Sequence, residues 1–129
     1  MNTTTMMSED GTGWTEAWSV KVVTSEMIPR LPRYHDIGPR RYKIIRVPAM
    51  AGGVALGETS IYAEEIRLAP QINNRATARV FLHEDIHAIN EEYEIELTEN
   101  QVSRLANGLC ASLQALGFYP TELKLAEDP

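Results

Sequence analysis

Apolar residues recur with a helical period along two stretches of the second half of the chain. In "NRATARVFLHEDIHAINEEY", Leu82, Ile86, Ile89 and Tyr93 fall at i, i+4, i+7 and i+11, which predicts one helix from about residue 74 to 93. A short loop, "EIEL", follows. Thr98-Glu99-Asn100-Gln101 then has the T-x-x-Q form of a capping box, so a second helix is expected to start with Thr98 as its N-cap. Val102, Leu105, Ala106, Leu109, Leu113 and Leu116 form the stripe expected to be buried, and Gly117 is a natural stop.

The first half reads differently. Trp18, Val20 and Val22 alternate with Ser19 and Lys21, which predicts a strand over 17–23. "RYKIIRVPAM" predicts a strand over 41–47, closed by Pro48. "TSIYAEEIRLAP" predicts a third over 60–68, ended by Pro70, with a helical "YAEEIRL" as the alternative. Between them, "SEMIPRLPRYHDIGPRR" reads as an irregular connection and "AGGVALGE" as a loop. Residues 1–13 are small and polar and are expected to be disordered. Residues 120–129 are expected to form a tail that frays after Phe118 and Tyr119 pack. The pattern as a whole is that of one α+β domain spanning 14–119, with a small, mainly antiparallel sheet and two helices.

Charge is divided unevenly. Residues 81–129 carry ten acids against Arg104 and Lys124, whereas residues 1–80 carry ten bases and eight acids. The net charge of −6 argues against a general nucleic-acid binder, and the acidic half suits a bound cation. Six bases, Arg30, Arg33, Arg40, Arg41, Lys43 and Arg46, cluster in the first half; they read as a solvated face balancing nearby acids, with a nucleic-acid contact as the alternative. Cys110 is a single cysteine among leucines, expected to be buried and unreactive, and its solitude excludes an intrachain disulfide. No apolar run is long enough for a membrane span, and the first residues lack a signal peptide's basic start and apolar stretch. The cytoplasm is the expected compartment.

The first predicted helix contains His83-Glu84-Asp85-Ile86-His87, the pattern HExxH. Four residues turn a helix by about 400°, so the two imidazoles lie about 40° apart on one face and can share a metal ion. Zinc accepts such nitrogen ligands in tetrahedral geometry. Glu84 lies about 100° around from His83. It flanks the ion and is suited to take a proton from a water that zinc acidifies, for attack on a peptide carbonyl. Two of the chain's three histidines fall in this pattern, on a helix that periodicity supports independently.

Zinc needs a third protein ligand if water is to occupy the fourth position. Glu91 stands four residues beyond His87 but about 12 Å along the axis from His83, and Glu92 and Glu94 share that problem. Glu99 follows the loop, where an antiparallel second helix can return it to the histidines. It is the preferred ligand, with His35 and Glu96 as alternatives. Tyr62 or Tyr93 could stabilise an oxyanion, but nothing in the sequence selects either.

The segment "FLHEDIHAINEEYEIELTENQVSRLANGL" resembles the HExxH-loop-helix region of small phage- and prophage-encoded zinc metallopeptidase-like proteins, which are related to the minimal zincins of the ImmA/IrrE group. Leu97, Glu99, Val102, Leu105, Ala106, Gly108 and Leu109 match the second part of that pattern. The resemblance covers roughly residues 42–116. It implies a zincin-like fold, zinc held by His83, His87 and Glu99, Glu84 as the catalytic base, and a peptide or protein substrate laid along the strand "SIYAEEIRL". Asp85 is a departure, since that position is often apolar in the group. No helix-turn-helix partner domain is found. The rival expectation is an inactive zincin-fold protein that binds a host or phage partner.

Overall fold

The computed structural model describes residues 27–47 and 56–126. The strand expected over 17–23, the disorder expected over 1–13 and most of the "AGGVALGE" loop lie outside the described residues. The fold is α+β. Among the described residues four strands, β1 (Tyr34–Ile37), β2 (Arg40–Arg46), β3 (Gly57–Ser60) and β4 (Glu65–Leu68), form one mixed sheet in the order β1-β2-β4-β3. Two helices follow, α1 (Asn74–Glu92) and α2 (Glu99–Leu116). No described helix is long and apolar enough to cross a membrane.

Two strands arise where the sequence pattern gave a different reading. The proline-rich connection contains β1, which pairs antiparallel with β2 through a two-residue turn, Gly38-Pro39. Gly38 has φ +57°, and proline fixes the next φ near −65°. That pair of signs suits a type II′ turn, whose twist matches a hairpin. The strand expected over 60–68 is instead the end of β3, a reversal at 61–64 and β4. Ser60 Oγ accepts from Ala63 N–H and Glu64 takes φ +56°, so the chain folds back on itself. Its imperfect alternation reflects this turn. β4 therefore lies inside the sheet, antiparallel to β3 and parallel to β2, and β3 and β1 are the edge strands among the described residues.

Alternation puts Tyr42 and Ile44 of β2, and Ile66 and Leu68 of β4, on one apolar face. Ala78, Phe81 and Ala88 of α1 cover that face. The small alanines let the helix approach, and each large buried side chain contributes on the order of 1.5–3 kcal/mol. The opposite face is polar, where Arg67 pairs with Glu65 and Glu58. Gly57 lets β3 come close to α1. A Cβ there would lie 2.6 Å from Val80 Cγ1 and 3.1 Å from Glu84 Cγ.

The layers run sheet, α1, α2. Ile86 and Leu82 of α1 meet Val102 and Ala106 of α2 in a second cluster. The stripe expected on α2 is wider than the one used. Val102, Ala106 and Cys110 are buried, whereas Leu105, Leu109 and Leu116 are exposed, because α1 is the only described element that α2 packs against. Burial also raises the Cys110 thiol's pKa, consistent with an inert side chain. Tyr93, expected in the α1 stripe, is exposed at the end of the helix beside Gly38.

Residues of the segment expected as a tail make contacts with the domain. Tyr119 donates to the Ala78 carbonyl, Leu123 is buried, and Lys124 forms a bridge with Arg30 beside Leu31. The basic cluster is dispersed. Arg40 pairs with Glu64 and Glu92, Arg41 with Asp36, and Arg30 donates to the Leu125 carbonyl.

Asp85, the unusual residue within HExxH, has a partner. His35 Nε2 of β1 stands 3.0 Å from its carboxylate, in a half-buried bridge whose imidazole packs edge-to-face with Phe81. The hydrogen bond to Asp85 is the main cause that raises the His35 pKa, against a smaller opposing effect of burial.

Two outcomes test this packing. Gly57→Ala is expected to cost about 1–3 kcal/mol in urea unfolding by overpacking, and adding Val80→Ala should recover much of the loss. Because the His35 pKa is raised on folding, its stabilisation is full below the free imidazole pKa of about 6.5 and is lost as pH rises through the folded value. The difference in urea midpoint between the parent chain and His35→Asn should therefore be larger below about pH 6.5 than at alkaline pH.

Candidate metal centre

HExxH occupies the middle of α1, where Asn73 caps the helix by accepting from Ala76 N–H. Ile86 faces α2, and Glu84 turns toward β3. His83 and His87 stand one turn apart with ring centroids separated by 4.9 Å. Both open onto a cleft of about 580 Å³ that Gly57, Thr59, Glu84, Glu91 and Glu99 also line.

Glu99 arrives from the first turn of α2. Its carboxylate oxygens lie 3.2 Å from His83 Nε2 and 2.8 Å from His87 Nε2. The three side chains are drawn together as the sequence anticipated, and their donor atoms all lie within 4.8 Å of one another. Ligand atoms on a tetrahedral zinc at about 2.0–2.2 Å stand about 3.4 Å apart, so small rotations of these side chains suit the ion. The donor set, two imidazole nitrogens and one carboxylate, suits zinc among other first-row divalent ions.

The loop between the helices fixes Glu99. The chain reverses over residues 93–98, with Glu94 at φ +51° and Glu96 at φ +69°. Non-glycine residues adopt this conformation at a cost of about 1–3 kcal/mol, so neighbouring contacts must hold it. Asn90 supplies two of them: its amide accepts from Leu97 N–H at 2.9 Å and donates to the Leu97 carbonyl at 3.2 Å. Thr98 and Gln101 then close the expected capping box, which starts α2 at Glu99. Sequence reasoning missed Asn90. Its signal is a short amide residue three positions after His87, near the end of a helix whose next segment must reverse.

The other candidates lie elsewhere. His35 is committed to Asp85, and Glu96 is exposed in the loop. Glu92 pairs with Arg40. Glu91 lines the cleft but does not join the three ligand atoms. Neither Tyr62, which is fully exposed, nor Tyr93 lines the cleft.

Glu84 is only 6% exposed, buried between α1 and β3. Thr59 Oγ1 lies 2.7 Å from its carboxylate and 2.9 Å from its main-chain carbonyl, so one hydroxyl proton serves either acceptor. Burial raises the Glu84 pKa above the ordinary carboxylate value; the Thr59 hydrogen bond and the nearby His87 and His83 oppose that shift. A carboxylate with raised proton affinity, held at the wall of a cleft, is suited to exchange a proton with a group bound there.

Glu99 is exposed and makes no contribution to the capping box, so Glu99→Ala should fold normally. Its zinc affinity, measured by competition with a chromogenic chelator, should fall by more than the about 10–100-fold typical of losing an outer partner of a ligand. Unchanged affinity would remove Glu99 from the ligand set. No model of a known protein family matches the chain, and no curated protein and no solved structure matches it.

Proposed function

We propose that the chain is a zinc-dependent peptidase of the minimal zincin type, acting on a peptide or protein substrate. The observation that carries this reading is the convergence of His83, His87 and Glu99 beside a buried Glu84, in a cleft bordered by an edge strand. The sequence resemblance to phage- and prophage-encoded proteins supports the same reading, and a cytoplasmic site of action accords with it.

His83, His87 and Glu99 would hold the ion. When bound, zinc supplies a Lewis acid that polarises a carbonyl and lowers the pKa of water. The remaining steps belong to the protein. The Glu84 carboxylate accepts a proton from the attacking water and delivers it to the departing amine nitrogen. Thr59 orients that carboxylate through its hydroxyl, and burial between α1 and β3 keeps bulk water from competing for it. β3 has β4 as its one partner among the described residues, so its other edge offers main-chain groups to an extended peptide. The substrate strand is thus assigned to residues 57–60 in place of "SIYAEEIRL", whose β4 part is interior.

Glu84→Gln tests the reading. It should leave zinc content at one per chain and lower peptide hydrolysis by about 10²–10⁴-fold. A parent protein that binds zinc yet hydrolyses nothing in a proteome-derived peptide mixture would favour a binding protein on the same scaffold.

A further inference from the structure

Four cleft residues of α1, Arg79, His83, His87 and Glu91, are spaced four apart, one per turn. The two outer members carry opposite charge. Each lies six residues from the midpoint of the histidine pair, about 9 Å along the helix axis. The other charged groups of the cleft are engaged: Glu58 with Arg67, Glu84 with Thr59, and Glu99 with both histidines. Arg79 and Glu91 have no hydrogen-bond or ion-pair partner for their side chains among the described residues, and both are exposed. Neither charge is used in packing or pairing among the described residues, so both are free to meet a bound chain. Here they bracket the metal ligands.

The edge strand has the same polarity. Gly57 approaches Val80 and Glu84, Thr59 bonds Glu84, and Ser60 to Tyr62 share a surface recess with Glu91. β3 therefore runs from the Arg79 end of the cleft to the Glu91 end. A peptide paired antiparallel to it, the more stable arrangement, would have its amino-terminal side near Glu91 and its carboxyl-terminal side near Arg79. At about 3.3 Å per residue, 9 Å corresponds to two or three residues on either side of the metal.

We infer that the cleft selects peptides of one charge polarity: a basic side chain two or three residues before the scissile bond, and an acidic side chain or terminal carboxylate two or three residues after it. The inference deepens the peptidase reading and rests on it. Arg79 suits the acidic position because its planar fork meets a carboxylate with two parallel hydrogen bonds. Glu91 attracts a lysine or arginine at the other end.

The test uses the full chain carrying Glu84→Gln, loaded with zinc, and three fluorescent peptide pools with randomised centres. One pool has lysine before and glutamate after the centre, one has the reverse order, and one is neutral. Anisotropy should give the first pool about fivefold tighter binding than the neutral pool, with the preference shrinking as salt is raised. Adding Arg79→Glu and Glu91→Lys together should invert the order of the charged pools. Equal binding of the three pools, a preference for the reversed order, or an order unchanged by the double substitution would overturn the inference. Cleavage of the same pools by the parent protein is scored separately. Selective binding without cleavage would count against the peptidase reading and leave the cleft's polarity standing.

Discussion

The reversal between α1 and α2 is the constraint on which the site depends. Two histidines one turn apart can be offered by any exposed helix, but a carboxylate can join them only if the chain comes back. Here it does so within residues 93–98, through two glutamates in the left-handed region. Such a loop would open if left to its own preferences. The Asn90 side chain bonds both polar groups of Leu97, and Leu97 packs into the cluster formed by Ile86 and Val102. The capping box then fixes the residue at which α2 begins. Local strain is thus held by one amide, one leucine and one cap, all within a turn or two of His87 and Glu99.

Because α1 lies between the sheet and α2, it has little free surface, and what remains is shared between two uses. Its cleft side presents His83, His87 and Asn90. Its back carries Asp85 and Glu92, which tie it to the first hairpin through His35 and Arg40. The unusual acid within HExxH is therefore a tether to β1, and its position on the helix follows from the partner it meets. The acidic excess of the second half is likewise divided. Glu84, Glu91 and Glu99 line the cleft, while Asp85 and Glu92 hold the sheet.

Much of the site could be read from the sequence because it is local. The spacing of HExxH, the period of α1 and the T-x-x-Q cap lie within about 27 residues, and helix geometry alone excludes Glu91 and favours Glu99. The sheet was less legible. The short strands β1, β3 and β4 have four residues each, too few for alternation to show, and turn chemistry at Gly38-Pro39 and Ser60–Glu64 cuts across the apparent runs. The parallel pairing of β2 with β4 is a long-range choice that no single run encodes. On α2 the periodicity was real, but it states which side chains could be buried. How many are buried depends on the neighbours, and α1 covers only the seam of Val102, Ala106 and Cys110.

Glu84 joins these levels. Position in the motif gives it a place next to the histidines, yet its proton affinity comes from β3, which no local pattern would connect with it. Gly57 lets the strand come within contact of the helix, and that approach strips water from the carboxylate. Thr59, two residues on and on the same side of the strand, returns one hydrogen bond. Burial raises the proton affinity of Glu84, and the Thr59 hydrogen bond opposes that rise. The balance depends on a strand whose glycine and threonine are spaced by the two-residue period of a sheet. The chemical character of Glu84 is therefore a property of the contact between β3 and α1 as much as of the motif itself.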